Sequence, residues 1–384
     1  MKTVCNRDEC TGCSSCFNVC PTGAITMKDV DFAGYQPFID ERICNGCGQC
    51  RRKCPILSDG VYHQSMNVYA AWSRDDEERQ SCASGGVASV FSQYIVDTGG
   101  LVCGCGFDTD FVPRHFISWE YEQLTKFKGS KYVQSYIGDT FKQIKQQLTR
   151  GKHLLFVGTP CQVQGLKTYL GRHYERLLTI DLICHGVPPH SIFREWLSEY
   201  DLCHVKGLTF RQNNIFDLKL HYRDDSEMKD RRYYMLGFLN GLFYRTNCYS
   251  CRYAKPERVG DLTLGDFWGL GEQVPFEQPT SKGVSLILVN TGKGRDLFER
   301  CKSKLEFFER TLDEAINGNE QLRHPAPKHR NYDLFRSSIE KTSFGAATRV
   351  CLRREIVKQR IGRFVLRNRT LRLVYRRLRT VVKR

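Results

Sequence analysis

The stretch CTGCSSCFNVCP, residues 10–21, decides how the chain begins, and CNGCGQCRRKCP, residues 44–55, repeats it. Each places four cysteines at one spacing: Cys10, Cys13, Cys16 and Cys20 in the first, Cys44, Cys47, Cys50 and Cys54 in the second. A proline, Pro21 or Pro55, follows directly. Three thiolates on one tight loop reach three irons of a cubane. The fourth iron takes a cysteine from elsewhere, and the proline turns the chain away behind it. Gly12, Gly46 and Gly48 help the loops wrap a cluster, because glycine adopts positive φ without a Cβ clash. Zinc sites and disulfides compete with this reading. Zinc, however, usually takes paired cysteines or histidines and not four-cysteine runs closed by proline.

The spacing C-x2-C-x2-C-x3-C-P is that of bacterial two-cluster ferredoxins, in which the fourth cysteine of each run ligates the other run's cluster. One [4Fe–4S] cluster is therefore assigned to Cys10, Cys13, Cys16 and Cys54, and the second to Cys44, Cys47, Cys50 and Cys20. Residues 1–60 make an α+β ferredoxin-like module, with small hairpin strands expected around 23–26 and 34–40.

The remaining chain is long enough for further domains, since 384 residues imply roughly two or three in all. No apolar run has the length of a bilayer span, and nothing apolar precedes Cys10 to act as a secretory signal. Cysteines in cluster runs point to a reducing compartment, hence the cytoplasm. The net charge of +16 is uneven. Residues 349–384 hold fourteen Lys/Arg against Glu355 alone, which leaves the body close to neutral.

Residues 66–73 (MNVYAAWS) read as a buried strand opening a new domain. The small-residue turn SCASGG, residues 81–86, runs into a helix over 87–96. Such a turn either caps the helix or offers its N–H groups to a phosphate. A strand follows over 101–107. There Cys103 and Cys105 share a face, and core packing accounts for them better than half a metal site. FKGSKYVQS, residues 127–135, is polar and carries Lys131, and a helix follows over 141–148. HLLFV (153–157) and LLTIDLI (177–183) are buried strands, each followed by a loop and a helix. That repeat argues for parallel strands with crossover helices, and ligands bind at the carboxyl ends of such strands. Residues 205–240 read as irregular strands. Further strands are expected at 262–268 and 286–289, with a helix after Gly294.

Eleven cysteines lie outside the two runs. Cys248 and Cys251 have metal-ligand spacing and need two partners. Cys161 and Cys184 sit on the two loops at the carboxyl edge of the expected parallel sheet. The four either close a third [4Fe–4S] cluster or are a structural or redox-active CxxC with two buried thiols. His185 is a candidate orienting donor and not a ligand.

Six short motifs occur in order: Ser84-Gly85-Gly86, residues 129–135, residues 158–162, residues 184–188, Cys248-x2-Cys251 and residues 265–269 (GDFWG). Together they resemble the family of coenzyme F420 hydrogenase/dehydrogenase beta subunits. That family includes F420-reducing hydrogenase and formate dehydrogenase beta subunits and 7-hydroxymethyl chlorophyll a reductase. The resemblance covers roughly residues 1–340. It implies an α/β flavin-binding core with a partly parallel sheet, 66–150 supplying its N-terminal part and 151–340 its C-terminal part. It implies FAD contacts at Ser84, Gly85, Gly86, Gly129, Ser130, Lys131, Tyr132, Gln134, Ser135, Gly158, Thr159, Pro160 and Gln162, with Lys131 and backbone amides toward the pyrophosphate. It favours the third cluster at Cys161, Cys184, Cys248 and Cys251. It names neither a catalytic residue nor a substrate, whether F420 or another small molecule. This chain carries no hydrogenase or formate dehydrogenase catalytic motif, so a ferredoxin or a partner subunit would exchange electrons with it.

From Val357 onward apolar residues recur at helical spacing among arginines, at Ile361, Phe364, Val365, Leu371, Val374, Tyr375, Leu378 and Val382. A basic amphipathic helix over 349–384 can lie on an anionic membrane, here the inner face of the cell membrane. It can equally pack on the body or a partner, and nucleic-acid binding is the weakest of the three readings. Three functions are thus in view: an iron–sulfur flavoprotein oxidoreductase, a non-catalytic electron-transfer subunit, and a membrane-associated reductase of a lipid-linked or glycan precursor.

Overall fold

The structure is a computed structural model that describes residues 3–212 and 215–367. The N-terminal module has a short helix, Ser15–Val19, and an antiparallel hairpin of β1 (Ile25–Val30) and β2 (Gly34–Ile39), with Ile25 opposite Ile39. A helical turn, Gln49–Arg52, precedes the last cysteine of the second run. Gly12, Gly46 and Gly48 all have positive φ, as cluster loops require. Phe32 at the hairpin tip also has positive φ and is almost wholly buried. Its ring meets Tyr332 and Phe335 edge-on, with centroids 5.4 and 6.1 Å away. Such pairs contribute about 0.5–1.5 kcal/mol beyond the area they bury. The hairpin is thus plugged into the C-terminal part of the chain.

The core is one eight-stranded sheet. Its strands are β3 (Asn67–Ser73), β4 (Leu101–Phe107), β5 (Pro113–Ser118), β6 (Leu154–Gly158) and β7 (Leu177–Leu182) from the first half of the chain. Three strands form a separate small antiparallel sheet: β8 (Val205–Gln212), β9 (Ile215–Tyr222) and β10 (Glu227–Lys229). The large sheet is completed by β11 (Leu262–Asp266), β12 (Ser285–Val289) and β13 (Leu305–Arg310). The order across it is β13-β3-β12-β11-β7-β6-β4-β5. The four central strands β11, β7, β6 and β4 are mutually parallel and the flanking ones antiparallel. The central strands are apolar along their length because both faces are covered. Val102, Leu155, Ile180 and Leu262 face one layer of the core, and Leu101, Leu154, Phe156 and Leu177 the other.

Two expectations change. Residues 234–239 form a helix and not a strand, since Tyr234, Met235 and Phe238 bury one helical face among Phe193, Trp196 and Phe210. The helix expected after Gly294 begins earlier and spans Gly292–Cys301, because the Thr291 hydroxyl accepts a hydrogen bond from the Gly294 N–H and caps it. The tail begins as a packed element. Helix Phe344–Cys351 and the first turn of helix Arg353–Arg367 bury Phe344, Ala347, Cys351, Leu352 and Ile356. Val357 and Ile361 are exposed. The remaining stripe, Leu371, Val374, Tyr375, Leu378 and Val382, lies outside the described residues. Among the described residues no helix is long and apolar enough to cross a membrane.

Where the module meets the body, Asp29 of β1 stands 3.7 Å from His190. Burial lifts the Asp29 carboxyl to about 6, against the Ser191 N–H and Arg194, which lower it. Burial also pushes His190 down to about 4, so the imidazole is neutral near pH 7 and the contact is not an ion pair there. A carboxyl raised on folding favours the native state at low pH, and that preference is lost as pH rises through its folded value. Native stability is therefore expected to fall between about pH 4 and 6 through this group. Asp29→Asn should remove that slope and stabilise the protein at pH 7 by up to about 2 kcal/mol, measured by urea unfolding across pH.

Candidate functional site

The remote cysteine of each run faces the other run. A small cavity is lined by Cys10, Cys13, Cys16 and Cys54, together with the extra thiol Cys5. Burial raises Cys13 to about 12, and the neighbouring Cys10 and Cys54 add to it. Burial raises Cys50 too, and it feels Cys20 and Cys44. This is the crossed arrangement that the spacing predicts.

The second run of chemistry is at the carboxyl edge of the parallel strands. After β6 the chain turns at Thr159 into helix Pro160–Leu170, closed by a capping box between Thr159 and Gln162. Cys161 sits in that helix's first turn. Gly165, four residues on, lies so close to Cys13 that a Cβ there would fall 2.7 Å from the cysteine's own Cβ. The helix therefore joins the first cysteine loop to the sheet edge, and four residues of helix rise only about 6 Å. After β7 come Cys184 and His185. The Arg245 N–H donates to the Val187 carbonyl and the Cys248 N–H to the Arg245 carbonyl, which brings the CxxC segment alongside the Cys184 loop. Burial raises Cys184 well above an ordinary thiol, and Cys248, Cys161 and Cys251 raise it further. Cys251 is pushed up to about 12 by burial, then by Cys248 and Cys161. The four cysteines thus converge. Among the described residues no His, Cys, Asp or Glu group is tight enough to hold a single metal ion.

A polar knot fixes the two cysteine segments against each other. Asp181 of β7 is wholly buried. Its Oδ1 accepts from Arg258 Nη2 at 2.9 Å and the Thr263 hydroxyl at 2.7 Å, and its Oδ2 from the N–H groups of Val259 and Gly260. Arg258 also donates to the carbonyls of Tyr253, Lys255 and Leu182. The chain just after Cys251 is thereby tied to the strand that ends just before Cys184.

Above this edge opens a cavity of about 810 Å³. Ser84 and Gly86 line it at the start of helix Val87–Asp97, as do all the expected positions in 129–135 and Gly158, Thr159 and Gln162. Gly85 and Pro160 stand behind the wall. A Cβ on Gly85 would lie 2.4 Å from the Ala71 carbonyl oxygen, and its N–H donates to the Ser285 hydroxyl. Pro160 is the first residue of its helix. Lys131 lines the cavity but gives its ammonium hydrogens to the carbonyls of Lys126, Lys128 and Gly129. Enclosure by protein lowers it to about 8. The ammonium is thus engaged by three backbone carbonyls.

One hydrogen-bond chain links the loops of the wall. Gln162 Nε2 donates to the Ser135 hydroxyl at 2.8 Å, which stands 3.0 Å from His115 Nδ1. His115 Nε2 faces the Val157 carbonyl at 3.1 Å and must carry the proton, because a carbonyl only accepts. Burial lowers His115 to about 4, so this tautomer is neutral. The sequence motifs did not single out His115, Thr11, Arg245 or Arg211, and the resemblance gave no role to Asp266 and Trp268; all six line the cavity. Asp266 and Trp268 belong to the GDFWG motif quoted for the resemblance. The others carry no local signal. Arg211 Nη2 donates to Asp266 Oδ1 at 2.8 Å, and Trp268 stacks on Phe216. The Arg211 guanidinium also lies over the Phe216 and Trp268 rings, so this part of the lining is aromatic and charged.

Comparison with known proteins bears on residues 151–314 and on the two cysteine runs. Residues 151–314 match the family model for the C terminus of the coenzyme F420 hydrogenase/dehydrogenase beta subunit, and residues 9–56 the model for a 4Fe-4S dicluster domain. A subunit of the F(420)H(2) dehydrogenase of Methanosarcina mazei is 24% identical over 199 residues, 49% of this chain and 57% of that protein. "Coenzyme F420-dependent sulfite reductase" of Methanocaldococcus jannaschii is 25% identical over 344 residues, 84% of this chain and 50% of that protein. The chain thus spans about half the length of these curated relatives. A chain of the F420-reducing [NiFe] hydrogenase complex from Methanosarcina barkeri superposes with a TM-score of 0.46 at 15% identity, covering 67% of this chain and 91% of that one. With a 4Fe-4S dicluster domain matched at residues 9–56 and the C terminus of the coenzyme F420 hydrogenase/dehydrogenase beta subunit matched at residues 151–314, the chain is an iron–sulfur protein related to that family.

Proposed function

We propose that the protein is an oxidoreductase in which electrons pass between the ferredoxin-type clusters and an FAD held in the large cavity, where hydride is exchanged with an organic substrate. One observation carries the reading. Thr11 of the first cysteine loop, Cys161 and Cys184 all line the same cavity as the small-residue loops expected to hold a dinucleotide. The redox groups and the cavity therefore share a wall. FAD, when bound, supplies the conversion between single electrons and hydride.

The chain's own residues would do the rest. The first turn of helix Val87–Asp97 leaves backbone N–H groups without intrahelical acceptors, suited to a diphosphate. Lys131 adds positive charge. The Gln162–Ser135–His115 chain holds two loops of the wall at fixed separation. The Arg211–Asp266 pair and Trp268 also line the cavity and are candidate substrate contacts. Coenzyme F420 is one candidate, because the names of both relatives contain it, and another small molecule is the alternative. In this reading Cys10, Cys13, Cys16 and Cys54 hold one cluster and Cys44, Cys47, Cys50 and Cys20 the second. Cys161, Cys184, Cys248 and Cys251 hold a third.

Flavin binding tests the cavity assignment. The ammonium of Lys131 favours an anionic diphosphate and is lost above about pH 8. FAD affinity, followed by quenching of flavin fluorescence, is expected to weaken as pH rises through 8 and to lose that dependence in Lys131→Met. A pH-independent affinity identical in both proteins would remove Lys131 from the site. A second reading, an electron-transfer subunit without flavin, draws on the word "subunit" in one relative's name and on the chain's partial coverage of both. It predicts no FAD binding at all.

A further inference from the structure

Arg245 is a buried cation that no acid among the described residues answers. Its side chain is 1% exposed. Its guanidinium donates to three backbone carbonyls: Nε to Ala33 at 2.9 Å, Nη1 to Thr11 at 2.7 Å and Nη2 to Cys10 at 2.9 Å. None of the ion pairs among the described residues includes it. Asp29 lies near enough to feel its charge but makes no bond to it. Guanidinium cannot shed its proton in a protein, and a buried charge is costly unless an opposite charge compensates it.

The surroundings name the compensating charge. Two of the three carbonyls belong to the first cysteine loop, at Cys10 and Thr11. The backbone of Arg245 bonds to Val187, three residues past Cys184, and accepts from the Cys248 N–H. Its side chain lines the large cavity beside Cys161 and Cys184. Close approach has been built in on the ferredoxin side. A Cβ on Gly34 would stand 2.6 Å from Arg245 Nε, and one on Gly12 3.2 Å from Nη2.

We infer that Arg245 is a charge bridge, a positioning residue whose guanidinium lies between the cluster of Cys10, Cys13, Cys16 and Cys54 and that of Cys161, Cys184, Cys248 and Cys251, holding the two in register and raising both reduction potentials. The inference rests on the reading of those eight cysteines as ligands. The physical reason is the charge of the couple. A thiolate-ligated cubane is anionic and gains a further negative charge on reduction, so a fixed cation in a low-dielectric site favours the reduced form.

The test is a potentiometric titration of full-length protein, purified without oxygen and followed by electron paramagnetic resonance, with iron analysis on every sample. Arg245→Gln removes the charge and keeps part of the hydrogen bonding. Arg245→Lys keeps the charge and loses the three-carbonyl geometry. The bridge predicts more negative potentials at two clusters in R245Q and values near wild type in R245K. If R245Q does not fold, R245K with wild-type iron and potentials still supports the bridge. Loss of iron in R245K as severe as in R245Q would make Arg245 a structural peg and overturn the inference. So would unchanged potentials in a folded, iron-replete R245Q. A wild-type content of about eight irons would instead remove the third cluster, and the bridge with it.

Discussion

Alanine in place of Cys184 is expected to lower the iron content from about twelve to about eight per chain, with the ferredoxin clusters intact. Cys184 contributes one of four converging thiols, and a cubane that lacks one of its ligands in a buried site is not retained. Cys248→Ala should do the same. The control is Cys301→Ala, which removes a buried thiol packed in the apolar core beside Leu297 and Phe298. It should cost stability and no iron. Cys13→Ala supplies the contrast on the other side, since it should remove the cluster nearest the sheet edge and leave the quartet loaded. Iron analysis with electron paramagnetic resonance on the four variants separates the outcomes. Equal iron in C184A and C301A would mean that the quartet is structural.

Asp181→Asn should destabilise the fold by about 3–5 kcal/mol, the range expected when a buried ion pair loses one partner and leaves the other unpaired. Asp181 and Arg258 are 0% and 2% exposed. All five contacts to the carboxylate come from the segment 258–263, on the far side of the CxxC turn from Arg245. The amide can replace some of these bonds, but it offers a donor where the structure needs an acceptor. Chemical denaturation should show the loss as a lower midpoint with an unchanged slope. The same variant should load the quartet poorly, because the knot is what places Cys251 against the loop of Cys184. A stability within about 0.5 kcal/mol of wild type would show that the surrounding hydrogen bonds carry the junction without the charge.

The two cysteine runs were legible because cluster chemistry constrains spacing directly, and the cavity lined by Cys10, Cys13, Cys16 and Cys54 has the crossed membership that spacing implied. The parallel strands were legible for a different reason. A strand buried on both faces is mostly apolar, and β6 and β7 read that way. Less was visible from residue 205 onward. Helix Tyr234–Leu239 and strands β8 and β9 take their form from packing in the cluster of Phe193, Trp196, Phe335 and Phe344, assembled from distant parts of the chain. Asp181 and Arg258 are 77 residues apart, and no local pattern pairs the one with the other. Arg245 looked like any basic residue before a CxxC; only its burial against the carbonyls of Cys10 and Thr11 sets it apart. The tail read as one amphipathic stripe, yet its first part packs on the body through Leu352 and Ile356, whereas Val357 and Ile361 face outward.

The shared wall between cysteines and cavity is the centre of the account, and flavin and iron analysis of full-length protein purified without oxygen tests it most directly. The account predicts about one FAD and about twelve irons per chain. About eight irons with no flavin, even after reconstitution with FAD, would contradict it and leave an electron-transfer module in its place.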